Sequence, residues 1–188
     1  MTGYDVIGDV HGYADRLVNL LRKLGYHEKG GSWRPPADRT AVFVGDLIDR
    51  GEQQLETIRI VRSMVDAGNA HIVMGNHEYN AIAYSTIDPT SSEYCRPHSK
   101  KNNHQHEAFL GEVGFGTPLH RTIIEWFMEI PLWLDLGEIR IVHACWSEAH
   151  MEELDPLLTK EQGIWRLTPQ AVVETSRRDS DPYDALEV

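Results

Sequence analysis

Three short apolar runs, each passing directly into a polar, glycine-flanked motif, constrain this chain more than any other feature of its sequence. Residues 4–7, 40–44 and 71–74 read as strands. Between the first two, Leu17, Leu20, Leu21 and Leu24 recur at helical spacing, and Gly25 closes that helix. Between the second and third, Leu55, Ile58, Val61 and Val65 mark another amphipathic helix, ended near Gly68. Residues 78–84 predict a short third helix, and residues 28–38, rich in glycine and proline, read as a loop. The order β-α-β-α-β predicts parallel strands with helical crossovers. In such sheets, sites gather beyond the carboxyl ends of the strands, and all three polar motifs fall there.

The rest of the chain is less regular. Residues 85–105 are polar and contain Pro89 and Pro97, the pattern of a loop, a lid or an insertion. Residues 106–113 and 119–129 predict helices. Residues 132–136 and 139–143 predict a hairpin around Gly137-Glu138. Beyond His150 the pattern weakens. The 188 residues suit a single domain, and the last five, 184–188, read as the start of an element, so the native chain is expected to continue. No apolar run approaches the roughly 20 residues of a membrane span, and a strand begins where a secretory signal would lie. A cytoplasmic protein without a membrane partner is expected. The net charge of −11 disfavours nucleic acid, whose phosphates need lysine or arginine neutralisation. Cys95 and Cys145 form no CxxC pair and read as free thiols.

The chemistry sits in the three strand-end motifs. In Gly8-Asp9-Val10-His11-Gly12, Asp9 and His11 are two residues apart, so an extended backbone projects both to one side. Gly45-Asp46-Leu47-Ile48-Asp49-Arg50-Gly51 packs two carboxylates and a guanidinium into five residues, which is costly unless they are paired, hydrated or bound to something. Gly75-Asn76-His77-Glu78 offers a hard oxygen ligand and an acid or base. Each alone has a bland explanation: a helix-capping turn, a surface salt bridge, an asparagine N-cap. Three such motifs at successive strand ends would converge on one edge of one sheet, and this convergence predicts a metal-binding active site.

The same residues carry a family resemblance. The order of these motifs is similar to that of the calcineurin-like metallophosphoesterases, and most similar to the branch holding PPP-type serine/threonine protein phosphatases and bacterial symmetrical diadenosine-tetraphosphatases. It resumes at Ile141-Val142-His143-Ala144-Cys145-Trp146, which resembles the family's later strand ending in a metal-ligand histidine, and covers roughly residues 4–147. The resemblance implies an α/β sandwich of two β-sheets flanked by helices, and a metal-dependent phosphoesterase. It implies that Asp9 and His11 hold one metal, that Asp46 bridges two, and that Asn76 and His143 hold the second. His77 would be the general acid, Asp49 would orient it, and Arg50, with Asn76, would bind the phosphate. Two divalent cations bridged by a carboxylate can lower the pKa of a shared water to near 7, giving the attacking hydroxide. The mixed Asp/His/Asn donor set suits Mn²⁺ first, with Fe or Zn²⁺ as alternatives.

The sequence departs from the family in three ways. Beyond His143 only His150 remains where the family supplies a further downstream histidine. His143-Ala144-Cys145 stands where His-Gly-Gly is usual. A second phosphate-binding arginine has no clear match, with Arg166, Arg177 and Arg178 as weak candidates. The expected substrate is a phosphomonoester or a dinucleoside polyphosphate. A phosphoprotein is the alternative, and a metal-binding module with little turnover is a second alternative. Oligomeric state is not legible. Among other features, His98, His104, His106 and His120 read as solvated loop residues before a second metal site. Lys100, Lys101 and Arg96 read as a solvated charge run before a substrate-touching lid. Trp126, Phe127 and Trp133 read as core, and Trp146 as packing beneath the site.

Overall fold

The computed structural model describes residues 3–178 and 180–187. Strands β1 (Gly3–Ile7), β4 (Arg39–Phe43) and β5 (Ala70–Ile72) form one parallel sheet in the order β1-β4-β5. Ile7 lies opposite Phe43, and Phe43 opposite Ile72, so the three strands end in register. Helices α1 (Ala14–Lys23) and α2 (Gln54–Asp66) are the crossovers. They bury Leu17, Leu21, Ile58 and Val61 in the core cluster that also holds Ile7, Ala41 and Phe43 from the sheet.

The opposite face of the sheet presents Val42 and Val73. There the hairpin β6 (Trp133–Asp135) and β7 (Arg140–Val142) lays down Leu134 and Ile141 to make a second, smaller core. The second sheet of the sandwich is therefore a set of antiparallel ribbons. Leu132 N donates to Trp165 O at 3.1 Å, linking this hairpin to another formed by β8 (Thr159–Glu161) and β9 (Ile164–Arg166).

Helices α3 (Asn76–Ser85), α4 (Lys100–Val113) and α5 (Pro118–Glu129) complete the helical layer over the first core. After the second hairpin strand come α6 (Glu148–Leu154), a 3₁₀ turn (Asp155–Leu157), α7 (Pro169–Thr175) and α8 (Asp181–Glu187). The terminal stretch read as the start of an element is thus helical through Glu187, and Val188 lies outside the described residues. Among the described residues no helix is long and apolar enough to cross a membrane.

Two expectations need correction. Residues 28–38 are not a loop throughout. His27–Lys29 (β2) pairs antiparallel with Ser32–Arg34 (β3) around Gly30-Gly31, both at positive φ, which is the geometry of a tight two-residue hairpin. The ribbon buries Trp33. Secondly, the irregular stretch ends at Ser99, whose side chain caps α4 by accepting from Asn102 N. The helix starts six residues earlier than its apolar positions suggested, because Lys100–Gln105 is polar all round.

Candidate active site

The carboxyl ends of β1, β4 and β5 run into three loops that are laced together by backbone hydrogen bonds. Asp46 O accepts from both Val10 N (3.0 Å) and His11 N (2.9 Å). Gly12 N donates to Leu47 O at 2.7 Å, and Gly51 N to His11 O at 2.8 Å. Glu78, fully buried, completes the lacing: one carboxylate oxygen accepts from Asp46 N (2.8 Å) and Gly75 N (3.1 Å), the other from Leu47 N (2.8 Å). Its carboxyl is pushed above the usual range by burial and then by the Asp46 charge, against the pull of the three N–H groups.

The loops also hold unusual conformations. His11, Asp46, Asp49 and Arg50 all have positive φ, at 49°, 55°, 65° and 85°. Side chains rarely adopt this region, and clusters of such residues mark sites where the surrounding structure imposes the conformation. Gly45 (φ 91°) is required differently: a Cβ there would collide with the backbone of Gly75. Gly45→Ala is therefore expected to lower unfolding stability by about 3 kcal/mol, read from urea denaturation. An unchanged midpoint would show that the two loops need not approach so closely.

The side chains converge. His11 is buried and its Nδ1 lies 2.8 Å from Ile48 O, so it donates there and leaves Nε2 as a lone-pair donor. That Nε2 is 3.6 Å from Asp9 Oδ2 and 3.8 Å from Asp46 Oδ2, and it has no hydrogen-bond partner. His143 repeats the arrangement. Its Nδ1 lies 2.6 Å from Val44 O, and its Nε2 faces Asn76 Oδ1 at 3.2 Å and Asp46 Oδ1 at 3.8 Å. A ring nitrogen lone pair facing carboxylate and amide oxygens is repulsive by itself. A cation among them removes the repulsion, and a backbone carbonyl on Nδ1 is the usual outer partner of a metal-ligating histidine. Ligand atoms of His11, Asp46 and His77 lie within 4.8 Å of one another and could hold a metal ion. The residues present fit the group.

His77 differs in its outer partner. Its Nδ1 is 2.7 Å from Asp49 Oδ2, and its Nε2 is 3.9 Å from Asp46 Oδ2. Burial alone would lower its pKa. The Asp49 hydrogen bond and the charges of Asp46, Asp49 and Glu78 outweigh that and raise it. Asp49 is 2% exposed. Burial pushes its carboxyl up, but hydrogen bonds from His106 and His77 hold it below the usual range. Arg50, next in sequence to Asp49, is exposed and, among the described residues, makes no hydrogen bond or ion pair.

Asp9, His11, Asp46, Asp49, Asn76, His77 and His143 are thus brought together, with Asp9 the most open of the acids, its side chain 54% exposed. A cavity of about 430 Å³ opens beside Asn76 and His143 and is lined also by Tyr79, Arg96, Cys145 and His150. Two of the weak arginine candidates are otherwise engaged: Arg166 donates to Glu129 O, and Arg177 pairs with Glu174 and Asp88. Arg96 is the arginine that lines the cavity. Cys95 and Cys145 are free thiols. Trp126, Phe127 and Trp133 are core, as expected. Trp146 is half-buried beneath Arg140 and lines a second cavity with Trp133 and Trp165.

The middle histidines do not form a metal site among the described residues, and two of them are not solvated. His104 is exposed and pairs with Glu107. His98 stacks between Tyr84 and Tyr94 at centroid distances of 3.8 and 4.0 Å. His106 and His120 are buried, at 4% and 2% exposure. His106 touches the site directly, with Nδ1 2.9 Å from Asp49 Oδ1. Burial, with His106 and Arg121 nearby, lowers the His120 pKa from its ordinary 6.5. The unfolded chain therefore binds this proton before the folded one does. His120 contributes stability that is present above about pH 6.5 and lost as pH falls below it. The melting temperature is expected to drop less steeply between pH 7 and 5 in His120→Gln than in the parent, and parallel curves would contradict this sign.

A family model described as calcineurin-like phosphoesterase matches residues 4–167. The chain belongs to that family. It is 33% identical over 148 residues to a bis(5'-nucleosyl)-tetraphosphatase PrpE [asymmetrical] of Bacillus velezensis, covering 75% of this chain and 55% of that protein. It is 43% identical over 148 residues to the Bacillus subtilis protein of the same name, covering 75% and 57%. Among solved structures it resembles a cold-active protein-tyrosine phosphatase of a psychrophilic Shewanella, with TM-score 0.55, 20% identity, and coverage of 98% of this chain and 53% of that one; this likeness speaks to the fold alone. The chain spans a little over half the length of these two Bacillus proteins.

Proposed function

We propose that these 188 residues form one metallophosphoesterase domain that hydrolyses phosphate esters or anhydrides with two divalent metal ions. The observation carrying this reading is the buried, unpartnered His11 Nε2 set against Asp9 and Asp46. Asp9 and His11 would hold one ion, Asn76 and His143 the other, with Asp46 between them. The ions, when bound, would acidify a water and draw charge from the phosphoryl oxygens. Manganese is the first assignment, given the mixed nitrogen and oxygen donors.

The chain's own groups supply the rest. Asp49 accepts the Nδ1 proton of His77, which fixes the ring and directs Nε2 toward Asp46 and the site. A protonated His77 can then deliver its Nε2 proton to the leaving-group oxygen. Arg50 is free to form paired hydrogen bonds to phosphoryl oxygens, a geometry its planar guanidinium favours. Asn76 presents an amide beside the same position. The relatives' names point to a dinucleoside tetraphosphate, and a phosphomonoester is accommodated by the same groups. A cytoplasmic location suits a nucleotide substrate.

A second reading is favoured by the clustering of His77 with His11 and Asp46: His77 as a third metal ligand. Comparing diadenosine tetraphosphate, a phosphopeptide and p-nitrophenyl phosphate with Mn²⁺ tests the enzyme. Release of a mononucleotide at a higher kcat/KM than phosphate from the peptide is the expected result. No turnover of any of the three would overturn the reading.

A further inference from the structure

The reading of His77 as an acid leaves one buried group without a role. His106 enters from α4, 57 residues beyond Asp49 in sequence, and places Nδ1 2.9 Å from Asp49 Oδ1. The other oxygen, Oδ2, is 2.7 Å from His77 Nδ1. The Asp49 backbone N is held at 2.8 Å by Gln54 Oε1. The carboxylate is thus fixed by two elements, the start of α3 and α4, while the start of α2 holds the backbone of the same residue.

Packing does not account for a histidine here. The ring lies among Tyr84 and Phe109, at centroid distances of 5.3 and 4.9 Å, where an aromatic hydrocarbon would fit the neighbours. The imidazole instead buries Nε2 with no hydrogen-bond partner. Burying an unpaired polar atom is unfavourable. The compensating feature is the hydrogen bond to Asp49, whose Oδ1 would otherwise be a buried acceptor without a donor.

We propose that His106 is a positioning residue that, through Asp49, fixes the orientation and tautomer of His77. With Oδ1 held by His106, the carboxylate cannot turn about its Cβ–Cγ bond, and Oδ2 stays aimed at His77 Nδ1. His77 then carries its neutral-state proton on Nδ1 and presents Nε2 to the site. The proposal rests on the reading of His77 as general acid for its consequence in turnover, but not for its structural content.

The test uses two variants of the full chain. His106→Phe keeps the ring and removes the donor. His106→Asn places an amide nitrogen close to where Nδ1 stood. Side-chain ¹⁵N shifts of His77, taken where the ring is neutral, report its tautomer without any need for activity. The parent and His106→Asn are expected to show Nδ1-protonated His77, and His106→Phe a mixture of tautomers. With Mn²⁺, kcat of His106→Phe for an alkyl phosphate is expected to fall about tenfold, with KM unchanged and a smaller loss for p-nitrophenyl phosphate. His106→Asn should recover most of it. An unchanged His77 tautomer in a folded His106→Phe chain overturns the proposal. So does an equal loss in both variants with the tautomer intact, which is what a packing role predicts. If His77 is not the acid, the tautomer change persists while the leaving-group dependence is absent, and the two failures are distinguished.

Discussion

Asp46→Asn is expected to keep the fold and lose at least about a hundredfold in kcat. Asparagine is the substitution that separates charge from shape. It tolerates the positive φ of 55° that Asp46 adopts, and its amide oxygen can still accept from His77 N, now 3.0 Å from Oδ1. The backbone oxygen that anchors Val10 and His11 is untouched. What disappears is the negative charge facing His11, His77 and His143 at 3.8–3.9 Å. Without metal, that charge also lies against the buried Glu78 carboxylate. The variant should therefore melt at or above the temperature of the metal-free parent. Metal should raise the melting temperature of the parent and not of the variant, since only a ligand bound to the native state stabilises it. Turnover within a few-fold of the parent would remove Asp46 from the site's centre.

His77→Asn should slow hydrolysis by about 10²- to 10⁴-fold for an alkyl phosphate, the range of general acid catalysis. The loss should be much smaller for p-nitrophenyl phosphate, whose leaving group departs without a proton. Bound metal should be unchanged, because the Asp49 bond marks His77 as oriented toward proton transfer. Equal losses on the two substrates, together with lost metal, would favour His77 as a ligand. The distances alone do not separate these outcomes, since its Nε2 stands as close to Asp46 as that of His11 does.

The parallel sheet and the site residues on its edge were legible because both are local signals. Val42 and Phe43 read as strand from composition, and Asp46 follows within three residues. The three motifs meet because parallel strands in register must end at one edge, so topology alone assembles Asp9, His11, Asp46 and Asn76. His106 was not legible. Its polar neighbours Asn103, His104 and Gln105 give no apolar period, and its partner Asp49 is contributed by a loop far away in sequence. Glu78 stands within its motif, but nothing in the motif marks a structural task for it. That a carboxylate would be buried to tie three backbone N–H groups from two loops depends on the conformations at Gly45, Asp46 and Gly75, which no pattern of residue types encodes. The β2–β3 hairpin has a local signal, since Gly30-Gly31 between short strands is a two-residue turn, but the prolines that follow mask it. The ribbons that cover the sheet's second face are short, and their pairing is set by contacts with Val42 and Val73 more than by their own sequence.

Metal stoichiometry decides whether these loops form a two-metal centre. The chain and its Asp46→Asn variant would be loaded with Mn²⁺, desalted and analysed for metal per polypeptide, with p-nitrophenyl phosphate turnover measured on the same samples. Two ions and turnover are expected in the parent, with both lost in the variant. Equal metal content in parent and variant, or a parent that turns over substrate after complete metal removal, would contradict it.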